Sequence, residues 1–132
     1  MRFLTLKDQT VLPVERIRRQ FRNEEVRSVL PARLEDGTTD SLLVATTPAL
    51  AIISGEPGSR RRRWMTRWAP WDAVRLGDRI ETQHAPGHDV HHLEVGVDRL
   101  RFESYLPGDI GLRAMQDFVE ASRARQLEVA HT

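Results

Sequence analysis

Cysteine is absent from the chain, which excludes disulfides and thiolate metal centres. That absence fits a reducing cytoplasm. Lysine is nearly absent too: Lys7 is the only one, so 19 of the 20 basic residues are arginine. A guanidinium grips phosphate or carboxylate with a planar fork, but a G+C-rich genome produces the same bias. No apolar run approaches the roughly 20 residues needed to cross a bilayer. The start, Met1 to Asp8, meets an acid at once and has no signal-peptide core. Strong charge of one sign is also missing. A net charge of +1 does not steer the whole molecule toward polyanions.

What is present is ordinary globular composition, with 39% hydrophobic and 30% charged residues over 132 positions. That length makes one domain able to bury its own core. Pro13 suits a first helical position, and Val14, Ile17 and Phe21 then fall on one helical face. A helix is expected from about Pro13 to Asn23. Val26 to Leu34 alternates like a strand, and Pro31 within it predicts an edge strand or a bulge. Leu42-Leu43-Val44-Ala45 and Leu50-Ala51-Ile52-Ile53 are short apolar runs around Thr46-Thr47-Pro48. They predict two antiparallel central strands, buried on both faces.

Further along, Trp64 to Trp68 predicts a strand with Trp64, Thr66 and Trp68 on one face and Met65 and Arg67 on the other. Of the tryptophans, Trp68 is expected in the core. Ala73 to Gln83 predicts another strand, broken at Gly77-Asp78. His84 to Asp89 is expected as a loop. Leu93, Val95 and Val97 alternate, and Leu100 and Phe102 continue the sheet after Asp98. Asp109 then caps a helix expected from Ile110 to about Arg125 or Gln126. Its stripe is Ile110, Ala114, Met115, Phe118, Val119 and Ser122, with Arg113, Asp117, Glu120, Arg123 and Arg125 outside. The chain divides into an N-terminal extension (1–12), one domain that includes the first helix (13–126) and a flexible tail (127–132).

The order of these motifs resembles the bacterial pleckstrin-homology-like and GRAM-like domains. The matching features are Glu24-Glu25-Val26, Leu43-Val44-Ala45-Thr46, Leu50-Ala51-Ile52-Ile53, Pro70-Trp71-Asp72-Ala73-Val74 and the helix through Leu112 to Ser122. They span about residues 15–125. Thr47-Pro48-Ala49 departs from the basic turn usual in that family. The resemblance implies a mainly β fold: a seven-stranded antiparallel barrel or sandwich with a C-terminal capping helix. It also implies a non-catalytic binding or scaffold module for a protein or peptide.

The sharpest candidate site is Arg60-Arg61-Arg62-Arg63 beside Trp64. Four guanidiniums and an indole could dock on an anionic membrane surface. The family's phosphoinositide sites lie around the first strand pair. This run follows the second apolar strand, so the family site does not map onto it. One short cluster in a nearly neutral chain is a small footprint for nucleic acid. His84, His88, His91 and His92 could suggest zinc, but adjacent residues on a strand point to opposite faces. No metal and no cofactor is therefore expected. Ser104, His92 and Asp98 have the residue types of a nucleophilic triad without a nucleophile elbow. No catalytic residue is assigned.

Overall fold

The computed structural model describes residues 3–5, 11–13, 26–35, 40–55 and 64–130, with the backbone alone described at 3–5, 11–13 and 64. The strands are β1 (Phe3–Thr5), β2 (Val11–Pro13), β3 (Val26–Leu34), β4 (Asp40–Thr46), β5 (Leu50–Gly55) and β6 (Trp64–Ala69). A single 3-10 turn (Trp71–Ala73) leads to β7 (Val74–Leu76), β8 (Glu81–Ala85), β9 (His88–Val97) and β10 (Leu100–Pro107). One helix, α1 (Gly108–Ala130), closes the described chain.

Among the described residues β1 and β2 pair only with each other, Phe3 opposite Pro13. Pro13 thus ends a strand instead of opening a helix. Pairing with the preceding strand decides its conformation, and a fixed φ is compatible with either setting. The remainder of the expected helix, and the Glu24-Glu25 start of the family-like motif, lie outside the described residues.

The main sheet runs β6-β5-β4-β3-β10-β9-β7, and β8 also pairs with β9. β7 takes one end of β9, with Val74 opposite Val97, and β8 takes the other, with Glu81 opposite His92. The two short strands therefore share one position in a seven-position antiparallel sheet. The chain leaves the ladder between them at 77–80, the break that Gly77-Asp78 predicts. The sheet curls strongly into a half-barrel and matches a pleckstrin-homology-like barrel with a capping helix.

β4 and β5 are central and buried on both faces, as their continuous apolarity requires. Leu43, Ala45, Leu50 and Ile52 face the main core, which also holds Leu93, Val95, Phe102, Met115 and Phe118. Leu42, Val44, Ala51 and Ile53 form a second buried cluster on the opposite face. β3 is central, contrary to the edge reading of Pro31. Its pairing with β10 ends at Arg33 and Leu34. Pro31 lies beyond that point, where β3 and β10 part and no ladder donor is required. The register shift in β3 falls instead between Val26 and Ser28.

Trp68 is not the expected core tryptophan; Trp71, whose place the sequence leaves open, is. Trp68 pairs with Ala51, so it stands on the face away from the main core, on an edge strand, and is 48% exposed. Ala69 carries the inward parity of β6. Pro70 then ends the strand, and its carbonyl accepts from Ala73 N–H at 3.0 Å. This turn swings Trp71 inward to 1% exposure, where its indole N–H donates to Thr46 O at 3.1 Å. An indole in a core needs such a partner, and the end of β4 supplies it.

α1 buries Gly111, Met115, Phe118, Ser122 and Arg125. Met115, Phe118 and Ser122 hold the expected stripe, with Ala114 and Val119 partly buried beside them, but its ends differ: Ile110 is 83% exposed, and Arg125 is buried instead of lining the outside. The reason is close contact at the helix start. A Cβ on Gly111 would lie 2.7 Å from Leu106 Cβ, so Gly111 itself is the contact point and Ile110 turns away. Arg125 is accommodated by an ion pair with Glu128 at 2.7 Å. The helix also runs past Gln126 through residues expected as tail. Gln126 Nε2 donates to Val74 O at 2.6 Å and Trp71 O at 3.3 Å, which pins the C-terminal half of the helix to the sheet.

Candidate functional site

The arginine run and the Trp64 side chain lie outside the described residues. The flanking strands are described: β5 and β6 pair antiparallel from Leu50 and Ala69 to Gly55 and Trp64.

The histidines do not converge. Ala85 and His88 close a hairpin through a two-residue turn at Pro86-Gly87, so the expected loop is a strand pair. Proline presets the first turn position, and Gly87 takes φ 84 at the second, which suits glycine. His84 and Asp89 bond across the hairpin at 2.8 Å, exposed. His91 is buried, and its Nδ1 shares a 2.9 Å hydrogen bond with Thr82 Oγ1. His92 takes the opposite face. The triad candidates also separate. Ser104 is fully buried and its hydroxyl donates to Pro31 O at 2.7 Å, whereas His92 stands on the outer face of the sheet.

Two features of the described residues offer a site. The first is a groove of about 550 Å³ between α1 and the break in the strand edge. Its floor and walls are Ile80, Leu93, Val119 and Leu127, and its rims carry Asp78, Arg79, Glu120 and Arg123. It forms because the chain leaves β9 at 77–80 while α1 crosses above. Gly77 N–H still reaches Glu94 O at 2.8 Å, so the break stays close to the sheet. Among the described residues, β7 and β8 have no strand on their outer side. Sequence reasoning finds the break but not the groove, because the groove needs the unexpected last turns of α1, including Leu127.

The second feature lies on the outer face of β8, β9 and β10. Register places Glu81 opposite His92, His92 opposite Tyr105, and Glu94 opposite Glu103. The His92 and Tyr105 rings stack with centroids 4.3 Å apart. Arg101 bonds Glu94 and also lies 3.7 Å from Glu35. The Glu94 hydrogen bond and charge hold the Arg101 guanidinium above its already high ordinary range. Partial burial, then the charges of Glu103, Glu94 and Glu81, push the Tyr105 phenol up. The face is therefore an acidic field around one imidazole.

Among the described residues, no helix is long and apolar enough to cross a membrane. No family model, no curated protein and no solved structure matches this chain.

Proposed function

We propose that the chain is a non-catalytic, cytoplasmic binding module of the pleckstrin-homology-like and GRAM-like class. Its partner is an extended peptide segment of another protein. The observation that carries this reading is the apolar groove beside the β7–β8 edge. A sheet edge offers unpaired N–H and C=O groups to an added strand, and an adjacent apolar pocket takes a side chain from it. The groove suits one aliphatic or aromatic anchor, and its rim carries both charge signs for flanking residues. The buried hydroxyl of Ser104 and the scattered histidines leave the triad and histidine candidates without a shared site.

Selection of displayed random peptides on the full chain, followed by calorimetry, tests the reading. Selected peptides should carry an apolar anchor, and Leu127→Glu should abolish their binding. The exposed control Ile110→Glu should leave it unchanged. Failure to select any peptide, or equal binding by Leu127→Glu, would count against the groove. Attachment of Arg60 to Arg63 and Trp64 to anionic membrane is the competing reading, and vesicle sedimentation separates the two.

A further inference from the structure

The outer face of β8, β9 and β10 puts one imidazole among three carboxylates. His92 Nδ1 is 3.9 Å from Glu81 Oε2, and His92 Nε2 is 3.6 Å from Glu103 Oε1. Neither is a hydrogen bond at that separation. Nε2 is fully buried and has no hydrogen-bond partner among the described residues. An orphaned ring nitrogen facing a carboxylate from outside hydrogen-bond reach needs a reason.

Glu94 supplies the third group. One ligand atom each from His92, Glu94 and Glu103 lie within 4.8 Å of one another. Glu94 and Glu103 stand directly opposite across the strand pair, an arrangement in which like charges repel. Arg101 also acts on Glu103 by its charge, but one guanidinium does not cancel two carboxylates. Arg101 holds one Glu94 oxygen, which leaves the other oxygen for a second partner. Arg33 is opposite Glu103 in register but bonds Asp40 at 2.8 Å.

We propose that His92, Glu94 and Glu103 bind a divalent first-row transition ion of the zinc class. His92 Nε2 and one oxygen from each glutamate are the ligands, and water completes the shell. Tetrahedral bonds of about 2.0–2.1 Å require donor atoms roughly 3.3 Å apart. Rotation of the two partly exposed glutamate side chains closes the difference. Glu81, swinging in from 3.9 Å, accepts a hydrogen bond from the His92 Nδ1–H and so fixes the tautomer that leaves Nε2 free for metal. Stacking on Tyr105 holds the ring plane. The break between β7 and β8 leaves a polar cleft of about 430 Å³, lined by Gly77, Asp78, Arg79, Glu81, His92 and Glu94, which opens beside two of the three ligands. An imidazole among carboxylates favours zinc-class ions over magnesium or calcium, which prefer oxygen alone. This revises the expectation of no metal. That expectation weighed the histidines against one another, whereas register assembles one histidine with acids from a facing strand.

The test is calorimetric titration of zinc chloride into the full chain, in parallel with magnesium chloride. The expected result is one saturable zinc equivalent. His92→Ala and Glu103→Gln should each weaken it at least about tenfold, and Glu81→Gln should weaken it by about 10–100-fold without removing a ligand. The double variant His84→Ala/His88→Ala and the single variant His131→Ala should leave it unchanged. If His92→Ala loses its fold by circular dichroism, Glu103→Gln and the zinc-induced shift of the His92 ring nitrogens in NMR decide the matter. Absence of saturable zinc binding would overturn the site. So would unchanged binding in Glu103→Gln, loss of binding in the hairpin-tip double variant, or equally tight magnesium binding.

Discussion

The Ser104 hydroxyl donates a 2.7 Å hydrogen bond to the carbonyl oxygen of Pro31 across the point where β3 and β10 part. In a strand, N–H and C=O of one residue point the same way. The missing N–H of Pro31 therefore also faces β10, where pairing has ended. Proline removes the donor, the separation of the strands removes the need for it, and a side chain satisfies the remaining acceptor.

Ser104→Ala should destabilise the protein by about 1–3 kcal/mol, because it leaves the buried Pro31 carbonyl without a partner. Urea unfolding of the two proteins measures this. A difference within about 0.5 kcal/mol, the range of ordinary surface substitutions, would mean that water replaces the hydroxyl.

Trp68 and Trp71 give a contrast within four residues of chain. Trp71 is fully buried and hydrogen-bonded to Thr46, whereas Trp68 is half exposed on an edge strand. Trp71→Ala should cost about 3–5 kcal/mol, well above the cost of Trp68→Ala. Phe118→Ala should fall in the same range of about 3–5 kcal/mol, since Phe118 is fully buried. Equal unfolding midpoints for the two tryptophan variants would contradict the assignment of Trp71 as the anchor.

Gly111→Ala opposes two effects of known size. Alanine favours a helix interior over glycine by about 0.8–1.0 kcal/mol. Against this, the new methyl would sit 2.7 Å from Leu106 Cβ and 2.9 Å from the Leu106 backbone carbon. Backbone cannot swing aside as a long side chain can, and overpacking costs about 1–3 kcal/mol. Net destabilisation is expected. A rise in melting temperature would show that α1 can lift from β10 without loss.

Leu42 to Ala45 and Leu50 to Ile53 are legible as central strands because unbroken apolarity leaves no polar face to set toward solvent. The β7–β8 break is legible from Gly77-Asp78 for a similarly local reason. Trp68 is not. Alternation groups Trp68 with Thr66, but only pairing with Ala51 reveals that this group faces away from the main core. The helix stripe fails at Ile110 because the closest helix contact is made by Gly111, which has no side chain to reveal it in a hydrophobic pattern. The His92 cluster is less legible still. Glu81, Glu94 and Glu103 come together only through the registers of three strands, whereas His91, adjacent in sequence, points into the core. Charge patterning along the chain carries no trace of that juxtaposition.

Tyr105 reports on the acidic face. It is the only tyrosine, so alkaline absorbance titration reads it alone. Partial burial and the carboxylates of Glu103, Glu94 and Glu81 raise its pKa, because both effects disfavour the negative phenolate. Glu103→Gln removes the largest of the charge contributions and should lower the pKa toward the ordinary tyrosine value. An unchanged titration curve would mean that solvent screens Glu103 from the phenol.

The membrane reading of Arg60 to Arg63 rests on charge and can be tested on charge. Each basic residue near an anionic surface contributes roughly 1 kcal/mol, so four contribute roughly 4. That corresponds to about millimolar affinity. Screening over about 8 Å at physiological salt weakens it further. Sedimentation with vesicles of anionic lipid should therefore show binding that is strong only at low salt. Neutral vesicles should sediment none of the protein. Changing all four arginines to serine should abolish the anionic binding, while peptides selected for the α1 groove should bind the serine variant as tightly as the parent. Equal sedimentation of parent and serine variant at low salt would remove the loop from the interaction. No sedimentation of the parent even at low salt would remove membrane attachment, leaving the peptide groove as the reading under test.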